Sequence, residues 1–235
     1  MGTFVLVHGA WHGSWCWTRV RRALQQQGHE VFTPTLTGVG ERSHLLAEHV
    51  DLRTHILDVL NLIRWEELSD VVLCGHSYGG MVVTGVADQI PERIRSLVYL
   101  DAFVPEHGQS LSDFVPISDD HLVDGWKAPP ITAEFFGVNP TDRAWVDRQC
   151  TMQSIACFRQ PVQLTGGIQR VRDIHYIYAS GWGGDKSPFQ PFYEQAKARG
   201  WEASGIDCGH DVMLDRPDAL VTLLADCLGL PASRG

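Results

Sequence analysis

Three features are scarce or missing in this 235-residue sequence: long apolar runs, an excess of basic residues and paired cysteines. No apolar run approaches the roughly 18–20 residues of a membrane-crossing helix, and strand-like residues begin at Thr3, before a signal peptide would fit. Lys and Arg number 19 against 28 Asp and Glu, so the formal charge of −9 repels phosphate backbones and anionic lipids. We therefore expect no nucleic-acid or membrane partner and a cytoplasmic location.

The six cysteines are scattered and form no C-x-x-C pair, in a chain large enough to fold without disulfides. We interpret them as reduced thiols. His8 and His12 are four positions apart, but no carboxylate or third histidine stands near them at the spacing of metal ligands. The sequence therefore predicts no metal site.

Hydrophobic residues make up 44% of the chain, which is typical of one globular domain, and we assign residues 1–235 to it. Short β-rich runs alternate with segments of helical period, and this alternation predicts an α/β fold with a mostly parallel sheet covered by helices on both faces. The predicted strands span residues 3–8, 30–33, 71–74, 94–100, 174–179 and 202–206. Between residues 105 and 161 the alternation gives way to a stretch rich in Pro and aromatic residues, which predicts an inserted cap.

The strongest chemical signal is Gly75-x-Ser77-x-Gly79, placed between a predicted buried strand and a predicted helix. A serine in this position sits on a strained turn at the carboxyl edge of the sheet, with its hydroxyl exposed. Ser77 is therefore the predicted nucleophile. A serine hydroxyl needs a base to remove its proton, and His210, which lies between the last strand and the last helix, is the candidate.

An acyl-transfer site also needs N–H donors for the oxyanion that forms during the reaction. The glycine-opened loop at His8-Gly9-Ala10-Trp11 follows the first strand, and Tyr78 begins the helix after the nucleophile. We assign the two donors to the amides of Ala10 and Tyr78. Trp11 is a candidate for the substrate pocket, with a place in the core as the equal alternative.

These motifs together resemble one branch of the α/β-hydrolases. The run from Phe4 to Trp17, the segment Gly75-His-Ser-Tyr-Gly-Gly80 and the pair Gly209-His210 are similar to plant salicylate-methylester esterases, hydroxynitrile lyases and related bacterial esterases. The resemblance covers nearly the whole chain, with the cap matching least well. It implies a serine hydrolase of small, often aromatic, esters that needs no cofactor and is frequently a homodimer.

Two positions depart from the lyase members of this branch. In the lyase members that this chain resembles, a threonine follows the loop histidine and a lysine follows the catalytic histidine. This chain has Gly9 and Asp211 at these positions. An anionic leaving group would meet a carboxylate here in place of a cation, so an esterase is favoured over a lyase. A lactonase, an amide hydrolase or a C–C bond hydrolase of the same fold remains an alternative, as does a ligand-binding receptor with slow turnover.

The acid that orients the histidine has two candidates. Asp185 follows the penultimate strand, where the plant relatives carry their acid, but its segment 180–186 is longer than theirs. Asp101 ends the strand after the nucleophile helix, which resembles haloalkane dehalogenases and pancreatic-type lipases. A carboxylate in an apolar run is costly without a partner, and an imidazole is a natural one. We favour Asp101 and keep Asp185 as the alternative.

Overall fold

A six-stranded parallel sheet forms the centre of the computed structural model, which describes residues 1–183 and 187–229. The strand order is β2-β1-β3-β4-β7-β8, and every neighbouring pair in this sheet is parallel. The strands within the described residues are β1 (Thr3–Val7), β2 (Glu30–Phe32), β3 (Val71–His76), β4 (Ile94–Leu100), β5 (Lys127–Ala128), β6 (Gln153–Ser154), β7 (Asp173–Ala179) and β8 (Glu202–Ile206). The predicted fold class is confirmed, and the predicted strands agree with the observed ones to within about two residues.

Helices cover both faces of the sheet. They are α1 (Thr18–Gln26), α2 (Leu52–Trp65), α3 (Gly79–Gln89), α4 (Arg143–Gln149), α5 (Ala156–Arg159), α6 (Gln190–Ala198), α7 (Val212–Asp215) and α8 (Pro217–Asp226). Helices α1 and α8 pack beside one another on one face, while α2 and α3 pack together on the other. Within the described residues, no helix has both the length and the apolar character required to span a membrane.

The central strands β1, β3 and β4 are largely buried on both faces, because successive side chains point to opposite sides of a strand and helices cover both sides of the sheet. In β1, Val5 and Val7 join the core beneath α2 and α3, while Phe4 and Leu6 join the core beneath α1 and α8. All four side chains are fully buried. This two-sided burial explains why the strands read as continuous apolar runs, and it leaves the carboxyl ends of the strands as the place for polar chemistry.

The segment predicted as a cap lies between β4 and β7 and contains the antiparallel pair β5–β6 together with α4 and α5. It contacts the loop after β1 through Trp11. The Trp11 indole Nε1 donates to the carbonyl of Ala128 at 3.1 Å, the Trp11 amide donates to the side-chain oxygen of Gln153 at 2.8 Å, and the Thr151 amide donates to the Trp11 carbonyl at 3.0 Å. The segment is therefore attached to the loop that carries one of the two predicted oxyanion donors.

Candidate active site

The candidate residues follow four strands of the parallel sheet. Ser77 follows β3, Asp101 follows β4, Ala10 lies in the loop after β1, and His210 lies between β8 and α7. Because the carboxyl ends of parallel strands share one edge of the sheet, residues distant in sequence meet there. The sheet thus provides the frame that collects these groups.

Ser77 occupies the sharp turn between β3 and α3 and has a φ angle of +55°. Hydrogen bonds hold this conformation: the Ser77 amide donates to the Leu100 carbonyl at 3.2 Å, and the Phe103 amide donates to the Ser77 carbonyl at 3.3 Å. A Cβ atom at Gly75 would lie 2.6 Å from the Gly79 carbonyl oxygen, so only glycine permits this approach of strand and helix. Ser77 is half-buried between fully buried neighbours, which leaves it accessible to a substrate.

His210 forms a short hydrogen bond with Asp101. The distance between His210 Nδ1 and Asp101 Oδ2 is 2.6 Å, and both side chains are almost completely buried. The Trp182 indole donates to the same Asp101 oxygen at 2.9 Å, and the Ala179 amide donates to the other oxygen at 3.2 Å. Since Nδ1 carries the proton that Asp101 accepts, Nε2 is the nitrogen of the neutral ring that can take a proton from a nucleophile.

Three aromatic side chains surround the His210 imidazole. Phe189 stacks on it with a centroid distance of 4.9 Å and an interplanar angle of 10°. Trp182 lies at 4.8 Å and Phe136 at 5.1 Å, and the Phe136 carbonyl accepts the His210 amide at 2.9 Å. This packing restricts the ring and keeps water away from its bond to Asp101, which strengthens the electrostatic interaction between the two.

The amides of Ala10 and Tyr78 are suited to an oxyanion hole. Within the described part of the chain neither amide donates a hydrogen bond, whereas the neighbouring amides of Ser77 and Trp11 are both engaged. The His8 Nδ1–H donates to the Gly9 carbonyl at 2.8 Å, and this carbonyl belongs to the same peptide as the Ala10 N–H. Burial lowers the pKa of His8 to about 3, so its ring stays neutral and holds that peptide by a hydrogen bond.

A second pair of polar side chains lies buried beside this site. His12 Nε2 is 3.1 Å from Asp211 Oδ2, and His12 Nδ1 donates to the Ala10 carbonyl at 2.7 Å. Burial opposes charge on the His12 ring, but the nearby Asp211 carboxylate outweighs it and raises the pKa of His12 well above its usual value. The Asp211 side chain, which replaces the lysine of the lyases, is thus paired inside the protein with a cation.

Gly9 has no room for a side chain. A Cβ atom at this position would lie 2.9 Å from His76 Nδ1 and 3.0 Å from the Ser77 Cβ. The threonine of the lyase relatives would collide there unless His76 or Ser77 moved. This crowding supports the sequence-based preference for an esterase over a lyase.

The structure joins the predicted base, His210, to one of the two candidate acids, Asp101, and places the predicted nucleophile and oxyanion donors after strands of the same sheet. The other candidate acid, Asp185, lies outside the described residues. Trp11 is partly exposed, has a φ angle of +64° and packs against Phe158 at 5.6 Å. Sequence reasoning missed Trp182 as a donor to the acid, and the one available signal was its place directly after β7, at the carboxyl edge.

Metal ligands do not gather at this site or elsewhere in residues 1–183 and 187–229: these residues contain no group of three or more His, Cys, Asp or Glu side chains arranged to hold an ion. The predicted absence of a metal remains a prediction, and its check is a comparison of turnover with and without a chelator.

Comparisons with known proteins identify relatives along the whole chain. A profile of the alpha/beta hydrolase family matches residues 4–223. A carbendazim hydrolyzing esterase of Nocardioides sp. (strain SG-4G) is 49% identical over 241 residues, covering 96% of this chain and 99% of the relative. Salicylic acid-binding protein 2 of Nicotiana tabacum is 33% identical over 148 residues, covering 57% of this chain and 56% of the relative.

The solved structures that resemble this fold include an extracellular alpha/beta-hydrolase from a Paenibacillus species. It superposes with a TM-score of 0.84 at 24% identity and covers 97% of this chain and 99% of its own. At this level of identity the likeness concerns the fold alone.

Proposed function

The chain belongs to the alpha/beta hydrolase family and is a carboxylic ester hydrolase, and we propose that it acts through a triad of Ser77, His210 and Asp101. The observation that carries this proposal is the 2.6 Å contact between His210 Nδ1 and Asp101 Oδ2, at the sheet edge where Ser77 occupies its strained turn. A buried carboxylate paired in this way holds the imidazole in the tautomer that a serine nucleophile requires.

In the proposed reaction, the Ser77 hydroxyl oxygen attacks the ester carbonyl carbon while its proton passes to His210 Nε2. The carbonyl oxygen becomes negatively charged and accepts hydrogen bonds from the amides of Ala10 and Tyr78. The intermediate then collapses, the bond to the leaving alcohol breaks, and His210 returns the proton to that alcohol. The product of this half-reaction is an acyl group on Ser77.

Water releases the acyl group in the second half of the proposed cycle. His210 takes a proton from the attacking water, the same two amides stabilise the second oxyanion, and the acid leaves as Ser77 regains its proton. Asp101 keeps its negative charge throughout and stabilises the imidazolium that forms twice in each cycle. Each step uses only groups of this chain and water.

Small aromatic esters are the proposed substrate class. The support is the partly exposed ring of Trp11, which packs against Phe136 and Phe158 next to the Ala10 amide. Flat aromatic walls favour flat aromatic substrate groups. The relative that hydrolyses carbendazim makes that compound the first to test beside simple aryl and alkyl esters.

The proposal is tested by steady-state hydrolysis of p-nitrophenyl acetate and of a panel containing methyl benzoate, a simple lactone and carbendazim. We expect continuous turnover by the wild type and a loss of at least about 10³-fold in Ser77→Ala. The matched control is Ser43→Ala, an exposed serine away from the site, which should keep full activity. A single burst followed by no turnover would instead indicate a ligand-binding receptor and contradict the proposal.

A further inference from the structure

Two loops that approach the site from opposite ends of the chain are joined by one buried pair. His12 lies in the loop after β1, and Asp211 directly follows His210, 199 positions later. Their side chains are 4% and 0% exposed. A histidine and a carboxylate that are both removed from water need a specific reason to be there, because burial of either alone is costly.

The hydrogen-bond partners of His12 define its protonation. Its Nδ1 lies 2.7 Å from the Ala10 carbonyl, which can only accept, so this nitrogen carries a hydrogen. Its Nε2 faces the Asp211 carboxylate at 3.1 Å, and a carboxylate also accepts. Both ring nitrogens therefore donate, and the ring is an imidazolium. The nearest other titratable groups are Cys150, with Sγ 3.9 Å from His12 Nδ1, and His76, with Nε2 4.0 Å from Asp211 Oδ1. The pair also interacts electrostatically with His8, Cys16 and His210.

The contact with Ala10 places His12 one peptide away from the oxyanion donor. The Ala10–Trp11 peptide is held at both ends: its carbonyl accepts from His12, and its N–H donates to Gln153 at 2.8 Å. Fixing this plane fixes the backbone rotation at Ala10. Since the Ala10 N–H belongs to the preceding peptide, its direction depends on that rotation and on the His8 bond to Gly9.

We propose that His12 and Asp211 form a positioning pair that holds the Ala10 amide in register with His210. Neither residue touches the substrate. His12 orients the oxyanion loop through its bond to the Ala10 carbonyl, and Asp211 holds the opposite nitrogen of the His12 ring. This inference rests on the proposed function and adds to it the residues that orient the oxyanion donor relative to the proton carrier.

Two substitutions of His12 separate a positioning role from a purely structural one. The amide nitrogen of Asn can replace Nδ1 of histidine, whereas that of Gln reaches the place of Nε2. His12→Asn therefore keeps a donor for the Ala10 carbonyl and leaves Asp211 unpaired, while His12→Gln keeps Asp211 paired and removes the donor to Ala10. If His12 positions the Ala10 amide, His12→Gln is the less active variant. If His12 only stabilises the fold through Asp211, His12→Asn is the less active variant.

We expect His12→Gln to lower kcat by roughly 10- to 100-fold with KM changed by less than about threefold, as expected when a transition-state interaction is lost. His12→Asn should retain more of kcat although it unfolds at a lower temperature. The matched control is His175→Gln, the same substitution at a second His–Asp contact of 3.0 Å, on β7 outside the site, which should leave kcat unchanged. Activity that follows melting temperature, with His12→Asn the less active variant, would overturn the proposal, as would full activity in His12→Gln.

Nitrogen NMR of the His12 ring gives a readout that needs no turnover. We expect both ring nitrogens of the wild type to be protonated at about pH 8, and Asp211→Asn to return the ring to a neutral form at that pH. A neutral His12 ring in the wild type at that pH would overturn the pair. Two failures can be told apart. If the wild type hydrolyses no ester, the proposed function is refuted. If the wild type hydrolyses esters and His12→Gln does so at the same rate, only the positioning pair is refuted.

Discussion

Three residues of the site, Trp11, Ser77 and Asp101, have φ angles of +64°, +55° and +42°. Residues other than glycine rarely adopt such angles, because the Cβ approaches the backbone. Each of the three is held by backbone hydrogen bonds from another element, such as the 2.7 Å bond from the Asp101 amide to the Ile177 carbonyl. The strain is thus concentrated where the chemistry requires an unusual side-chain direction.

At Ser77 this strain predicts a difference between two inactive variants. Ser77→Gly removes the Cβ that makes the positive φ unfavourable, whereas Ser77→Ala retains it. We expect the glycine variant to be more stable than the alanine variant by about 0.5–1 kcal/mol, even though glycine usually lowers stability through the unfolded chain. Urea unfolding of the two proteins measures this difference. An alanine variant of equal or greater stability would contradict a strained turn.

Trp182 is the residue whose contribution was hardest to foresee, and its role is also testable. Trp182→Phe keeps an aromatic ring beside His210 and removes the N–H that Asp101 accepts at 2.9 Å. A hydrogen bond to a charged group contributes about 1.5–3 kcal/mol, so we expect kcat to fall by roughly 10-fold or more with KM nearly unchanged. Trp65→Phe, at an indole that is 85% exposed, is the control and should leave kcat as in the wild type.

At the scale of elements, the central strands β1, β3 and β4 were predictable because they are largely buried on both faces and therefore have apolar runs with clear ends. β4, predicted at residues 94–100, is observed as Ile94–Leu100. The β5–β6 pair and the short helices α4 and α5 were not predicted, because they have too few residues for a period to show. Their conformation depends on contacts with distant parts of the chain, such as the bonds around Trp11.

The same reasoning explains which site residues the sequence reveals. Ser77 and His210 belong to local patterns at strand ends, so their predicted places agree with the structure. The His12–Asp211 contact joins residues 199 positions apart, and no local pattern marks either one as the partner of the other. Contacts of this kind follow from the assembled sheet and cannot be read from spacing.

Two Asn substitutions compare the candidate acids Asp101 and Asp185 directly. If Asp101 at the end of β4 orients His210, then Asp101→Asn leaves the wrong tautomer facing Ser77 and lowers kcat by roughly 10³–10⁴-fold. Asp185→Asn should change kcat by less than about threefold. Matched melting temperatures would show that the loss is catalytic. The reverse pattern, with Asp185→Asn inactive, would move the acid to the loop after β7.

For the whole molecule, buried histidines determine how stability depends on pH. Burial lowers the pKa values of His8, His55 and His76, so these rings stay neutral in the folded protein at pH values where the unfolded chain binds protons. His12 behaves in the opposite way, because the Asp211 carboxylate more than offsets its burial and keeps it protonated. The three neutral histidines therefore make stability depend on pH mainly below the unfolded histidine pKa of about 6.5, and His12 makes it depend on pH mainly above that value.

We expect stability to be greatest near about pH 7, where each of these four histidines is about one-quarter protonated in the unfolded chain and the two states bind equal numbers of protons. Below that pH the unfolded chain binds more protons than the folded protein. Each of the three neutral histidines then lowers the free energy of unfolding by up to about 1.4 kcal/mol for each unit by which the pH falls. Between about pH 7 and 8 the folded state binds more protons than the unfolded chain, because His12 keeps its proton, so stability falls as pH rises. Urea midpoints across pH 5–8 measure both limbs, and Asp211→Asn should flatten the alkaline one. An unchanged alkaline slope in that variant would contradict a charged His12.

The central claim is that one serine of this molecule is a nucleophile, and covalent labelling tests it most directly. A fluorophosphonate reacts with a serine only where a base and an oxyanion hole act on its hydroxyl. We predict one adduct per chain, located on Ser77 by peptide mass spectrometry. We predict no adduct in Ser77→Ala or in His210→Ala, each checked to have the melting temperature of the wild type. An adduct on another residue, or equal labelling of the Ser77→Ala protein, would contradict the account.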